Sequence, residues 1–396
     1  MVWIMLAITM VCVVIVFAIV MAQKEKGTLV KQARAVTKDM VYENAYIVSN
    51  DDGRLIFICD GDLYRAKGTM EENFTGVCDI EISGSKVKKI QIKPDYISGV
   101  MLSYGDGTMQ IAGQGDIPMQ SDKLPVYDET GTSPKEIAVS DLIIGSETLS
   151  YILDSGRICA IVRRQAPDLT YIRVLIKNDG KDAFPTIAAA AAANFYVDDA
   201  DCGSNAIDDV GAYMANAQKS RIKVSSADNY VSINGKSYPG SFEFIGTEEG
   251  IVAVNTVDVE TYVRYVLQSE MPSTFDAEAL KAQAVCARTF VYSQMKNTQY
   301  ALYGANIDNT TAFQVYNASE TKQSTYEAVK ATAGQVVSCG RSLITCYYFS
   351  TSAGKTEDME VWSSSTPDFI HKVESVDDNS PYYRWTSELD LSAYND

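Results

Sequence analysis

The stretch from Asp258 to Tyr292, DVETYVRYVLQSEMPSTFDAEALKAQAVCARTFVY, leaves little choice of local structure. Val259, Tyr262, Val263, Val266 and Leu267 fall at i, i+3, i+4, i+7 and i+8, one apolar face of an amphipathic helix. Asp258 stands at the N-cap position. Pro272 disfavours helical geometry at Met271, so the helix stops there. A second helix starts near Ser273 or Asp276, where Ser273-x-x-Asp276 is an acidic variant of a capping box. Leu280, Ala284, Ala287 and Val291 mark its packing stripe, and the small residues allow close approach of a neighbour.

Glu270 lies eleven residues after Val259, about three turns on, and so points to the buried side. A carboxylate there meets the negative end of the helix dipole and loses water. Both effects favour its acid form, the state a general acid needs. The alternative is a side chain that swings out to solvent or pairs with Arg264, Lys281 or Arg288. Lys281 and Arg288, seven apart, share a helix face. Facing a cleft they could hold an anionic or hydroxyl-rich substrate; facing water they are an ordinary solvated surface.

The 396 residues suffice for two domains and a full-sized core. With 51 acidic against 34 basic residues the net charge is −17, which argues against nucleic acid as a partner. Glycan binding, which uses hydroxyls and ring faces, is left open, although most of the 24 Tyr belong to β-sheet packing. The single histidine, His371, excludes a Ser-His-Asp triad or a multi-histidine metal site within this chain. The cysteines at 12, 59, 78, 159, 202, 286, 339 and 346 show no C-x-x-C and no disulfide framework.

Residues Val2 to Ala22 carry no charge and are long enough to cross a bilayer, so 1–23 reads as a transmembrane anchor. Lys24 and Lys26 follow it and no basic residue precedes it, which by the positive-inside rule would keep the rest in the cytoplasm. Residues 24–38 form a polar, basic linker with helical character. From 39 to 166 short β segments with Gly, Asp and Asn turn signals make an all-β domain, Asp154-Ser155-Gly156 among its hairpin turns. Tyr171–Ile176 reads as a buried strand. The alanine run 188–193 fits a helix or a sheet equally. Strands recur between Ile222 and Thr256, with a strong hairpin signal at Asn234-Gly235. Glu320–Thr332 reads as a helix, and GQVVSC and SLITCYYFSTSAG as a hairpin around Gly340. The expected fold class is α+β, mostly β with a helical hairpin, preceded by one N-terminal transmembrane helix.

Glu270-Met271-Pro272, Phe275, Glu278-Ala279-Leu280-Lys281-Ala282-Gln283-Ala284-Val285 and Ala287-Arg288-Thr289 together resemble the signature of the SpoIID/LytB family. Tyr238-Pro239-Gly240, Gln314-Val315-Tyr316, Ser350-Thr351-Ser352-Ala353-Gly354 and Ser380-Pro381-Tyr382-Tyr383-Arg384-Trp385 are similar to further family blocks. The resemblance implies a catalytic domain over 168–396 with a lytic transglycosylase activity on peptidoglycan glycan strands and Glu270 as its catalytic acid. It implies that Lys281, Arg288, Gln314, Tyr316, Ser350 and Ser352 bind substrate or orient Glu270. It places the domain outside the cytoplasm on a membrane anchor, against the charge rule, and suggests a cell-wall amidase as partner. Some members bind a metal through Cys or His just before the Gln; Ala312 and Phe313 stand there, so no metal and no cofactor are expected. The family's Gly-His-Gly-rich C-terminal stretch does not follow, which implies a shortened or fragmentary domain. Two rivals remain: a hydrolase using Glu278 or Glu357 as second carboxylate, and a wall-binding amidase enhancer that cuts nothing.

Overall fold

The computed structural model describes residues 32–386 apart from 52, 69, 71–73, 319–320, 341, 362–366, 368 and 385. The expected membrane span lies outside the described residues, and among these no helix is long and apolar enough to cross a membrane. Among the described residues the architecture is α+β and mostly β, with four α-helices of known extent. Two compact units divide the chain: the first runs to Asp258 and includes Met295–Phe313, and the second comprises Val259–Gln294 and the chain from Gln314 onward.

In the first unit a six-stranded sheet is built around Met40–Asp51, which pairs antiparallel with Arg54–Cys59 on one side and Gly76–Ser83 on the other. Its buried face carries Ala45, Ile47, Leu55, Phe57 and Ile80. In the described part of the linker Gln32 is helical, Arg34–Ala35 adds a short parallel strand beside Tyr64–Arg65, and Ala33 and Val36 are buried. A seven-stranded sheet follows. Thr148–Asp154 and Arg157–Arg163 meet at the expected turn, where Ser155 and Gly156 take φ of 53° and 75°. Positive φ at both central positions is what a two-residue hairpin needs.

Tyr171–Ile176 is the buried strand its composition promised. It pairs antiparallel with Gly250–Asp258 and parallel with Ile307–Asp308 in an eight-stranded sheet. The alanine run enters a small sheet, Ala189–Ala190 lying against Ala206–Ile207 and against Tyr230–Ile233. The hairpin at Asn234-Gly235 forms as expected, with φ of 47° and 81°. Inside this unit Arg173 and Arg221 clasp Glu243 from both sides at 2.7 and 2.6 Å. Burial pushes the Glu243 carboxyl up, but the two guanidiniums outweigh it and hold it at about 2.

The second unit is helical. Helix α2 (Val259–Glu270) starts at the residue after the strand Gly250–Asp258, so Asp258 closes the strand and abuts the helix; the seven-residue α1 (Val210–Asn216) belongs to the first unit. α2 buries the face read from its periodicity, with Tyr265 added. α3 (Ala277–Gln294) starts where Asp276 Oδ1 accepts from the Glu278 N–H at 2.9 Å, and buries Leu280, Ala284, Ala287 and Val291. α4 covers Gln323–Ala331, within the expected helix; residue 320 lies outside the described residues. The expected long hairpin shrinks to Ser338–Cys339 against Ser342–Leu343. Beyond it Cys346 is buried while Tyr347 and Phe349 are exposed, so the alternation is real. Its inward side chains meet α3 in place of a partner strand.

Candidate functional site

The turn that ends α2 builds the site. The Met271 N–H still donates to the Leu267 carbonyl at 3.1 Å, and Pro272 stops the helix immediately after Glu270. Glu270 is half-buried. Its Oε1 accepts from the Val315 backbone N–H at 2.7 Å, and its Oε2 has no hydrogen-bond partner among the described residues. A carboxyl held by one oxygen presents the other in a fixed direction.

The residues on either side of Val315 make the floor. Gln314 is fully buried and its amide is fully used: Oε1 accepts from the Tyr262 hydroxyl at 3.3 Å, and Nε2 donates to the Ala287 carbonyl at 3.4 Å and to Tyr348 Oη at 3.2 Å. These bonds fix which way the amide points and tie α2, α3 and the segment 344–350 together. Because Tyr348 Oη accepts from Gln314, its own hydrogen is directed elsewhere and finds no acceptor among the described residues. Burial, and then the Glu270 carboxylate beside it, push the Tyr348 phenol well above its ordinary value, so it stays a donor. Tyr316 is buried against the rings of Tyr262 and Tyr265, with centroids 5.0 and 6.1 Å away.

The other expected site residues divide. Among the described residues Arg288 is the largest fully buried side chain, and its guanidinium grips both oxygens of Glu260 at 2.7 Å and donates to the Gln335 carbonyl at 3.1 Å. It clamps α3 to α2 and turns no charge toward a ligand. Lys281, partly exposed, pairs with Glu278 one turn back at 2.7 Å. Ser350 is exposed. Ser352 is committed to Asp377, whose carboxylate accepts from its hydroxyl at 2.8 Å and from its N–H. The structure thus brings Glu270, Gln314 and Tyr316 together. Tyr262 and Tyr348 were not singled out in the sequence. Tyr262 reads as plain core, but Tyr348 stands two residues before Ser350 in a block already marked, and that was its signal.

Two concave regions of about 810 and 1330 Å³ lie in the first unit and contain none of these residues. The smaller is walled by Arg173 and Arg221, which share the single carboxylate of Glu243; Arg173 Nη2 and Arg221 Nε are buried with no hydrogen-bond partner among the described residues.

Comparison with known proteins bears on this region. Residues 247–338 match the family described as SpoIID, stage II sporulation protein. The chain is 37% identical over 167 residues to the amidase enhancer of Bacillus subtilis (strain 168), covering 41% of this chain and 22% of that protein. It is 37% identical over 158 residues to stage II sporulation protein D of the same organism, covering 36% of this chain and 46% of that one. An uncharacterised protein of Brachyspira hyodysenteriae (strain ATCC 49526 / WA1) is 32% identical over 192 residues, covering 48% and 50%. The chain spans half or less of the length of each of these relatives.

Proposed function

This chain carries a SpoIID/LytB-family domain, and from that premise we propose that it is a peptidoglycan lytic transglycosylase with Glu270 as general acid and base. The bond cut is the β-1,4 link from N-acetylmuramic acid to N-acetylglucosamine. The observation that carries the reading is the posture of Glu270: one oxygen fixed by a backbone N–H, the other open, at a helix end beside Tyr348.

Glu270 in its acid form gives its Oε2 proton to the bridging oxygen, and the C1–O electrons leave with that oxygen. The resulting carboxylate takes the proton of the muramic acid 6-hydroxyl as that oxygen bonds to C1, closing a 1,6-anhydro ring. The nucleophile is part of the substrate, and such intramolecular attack reaches effective molarities of about 10⁵–10⁸ M. A hydrolase would need a second carboxylate to hold water or to attack. Glu278 and Glu357 are both exposed and paired, with Lys281 at 2.7 Å and Lys372 at 2.9 Å. That commitment favours the internal nucleophile. On this reading the uncharged stretch Val2–Ala22 anchors the chain and the domain works outside the cytoplasmic membrane; protease added to intact spheroplasts should degrade it.

A second reading is a wall-binding module that stimulates an amidase without cutting glycan, favoured by the name of the B. subtilis relative. Mass spectrometry of purified peptidoglycan after incubation with the protein separates the two. Anhydro-muramic ends support transglycosylation and reducing ends would mean hydrolysis. Intact glycan together with a faster amidase would establish the enhancer instead.

A further inference from the structure

We propose that the cavity of about 810 Å³ in the first unit binds a short peptide with free ends, its C-terminal carboxylate against Arg173 and Arg221 and its ammonium at Asp199. The inference uses no residue of the Glu270 site and stands whether or not the transglycosylase reading holds.

One face of four neighbouring strands makes a wall of this cavity. Arg173 lies opposite Thr256, Thr256 opposite Ser241, and Glu243 opposite Lys223, with Arg221 two residues before Lys223. Directly paired residues share a face of a sheet, and so do residues two apart. All six line the cavity. The intervening Ile172, Phe242 and Val224 turn to the other face and are fully buried. Arg173, Arg221 and Glu243 therefore project toward the cavity side.

At the deep end the charges do not balance. The Arg173 and Arg221 side chains are 6% and 10% exposed and share the one carboxylate of Glu243. Arg173 Nε also donates to the Gly304 carbonyl, and Arg221 Nη2 to Ser103 Oγ at 3.1 Å. Arg173 Nη2 and Arg221 Nε find no acceptor among the described residues. Burial holds the Arg221 guanidinium below its ordinary value in spite of Glu243 beside it. One positive charge and two donors are left over, and a ligand carboxylate brings one negative charge and two acceptor oxygens. Both nitrogens are covered, so the carboxylate engages them by a turn of the guanidiniums toward the cavity. The mouth has the opposite sign. Asp198 and Asp199 line it, and the Asp199 side chain is 78% exposed. Its pair with Lys223 at 3.3 Å is open to water and weak. Such a mouth attracts an ammonium and repels a dianion such as a phosphate monoester. The volume is that of a small-molecule site and takes a peptide of a few residues.

The test titrates trialanine into the full chain by calorimetry, beside its C-terminal amide and its N-acetyl form. Trialanine should bind, the amide roughly 10–100-fold more weakly, the range for losing charged hydrogen bonds, and the N-acetyl form several-fold more weakly. Arg221→Lys keeps the charge but removes Nε, and should erase the preference for acid over amide; its melting temperature is read alongside. Asp199→Asn alters an exposed side chain and should bind trialanine and its N-acetyl form equally. Equal binding of acid and amide by the wild type would overturn the proposal, as would no binding of trialanine at millimolar concentration. So would an undiminished preference for the free amine in Asp199→Asn. A peptide ending in D-Ala-D-Ala separates two sources of this chemistry. Tighter binding than the all-L peptide assigns the site to cell-wall peptides, weaker binding to protein C-termini, and either result supports the carboxylate site.

Discussion

Glu270 and Arg288 occupy one helical hairpin and meet opposite fates. The carboxylate keeps one oxygen unbonded, while the guanidinium is sealed from water. Glu270→Gln should leave glycan sedimentation unchanged and lower anhydro-product formation by about 10²–10⁴-fold, the usual span for losing a general acid. Undiminished product would remove Glu270 from the mechanism. Tyr348→Phe keeps the ring and deletes the unassigned hydroxyl hydrogen. A fall of roughly 10²-fold in kcat with KM unchanged is expected. A lower melting temperature at unchanged kcat would make Tyr348 a packing residue only. Glu270 was legible in the sequence because a proline fixes the helix end beside it. Its partner was not, since a backbone N–H from Val315 leaves no mark in residue type.

At the scale of elements, the α2–α3 hairpin followed directly from periodicity, because 3.6-residue spacing is a local property. The Arg288 clamp did not, since an arginine on a helix reads as solvated until its Glu260 partner, 28 residues away, is found. Arg288→Met should cost about 2–4 kcal/mol in urea unfolding, because it orphans carbonyls and a partly buried carboxylate. An undisturbed midpoint with weaker glycan binding would instead make Arg288 a ligand contact. The segment after Leu343 shows the opposite failure: alternation was read correctly, but alternation alone does not say whether a strand or a helix receives the buried side chains.

In the molecule as a whole, the non-local pairings were out of reach. Nothing in Tyr171–Ile176 announces that it will lie between Gly250–Asp258 and Ile307–Asp308. The Arg173–Glu243–Arg221 cluster is likewise a product of assembly. Since the Glu243 carboxyl is held at about 2 against an ordinary 4.5, its contribution is fully present above pH 4.5 and is lost as pH falls toward 2. Glu243→Gln should flatten acid destabilisation across that window and cost about 3–5 kcal/mol at neutral pH, leaving two buried cations unmatched. Unfolding curves from pH 6 to 2 check both, and an unaltered acid limb would assign the sensitivity elsewhere.

The strand Gly250–Asp258 is bonded along both edges to upstream partners, Ser241–Thr247 and Tyr171–Ile176, before the chain enters α2. A recombinant piece trimmed to 247–338 would therefore carry this strand with two naked rims and should precipitate on expression. Material for crystals or antibodies has to reach back past Tyr171. If it starts there, it still forfeits Ser103, to which the Arg221 guanidinium donates at 3.1 Å.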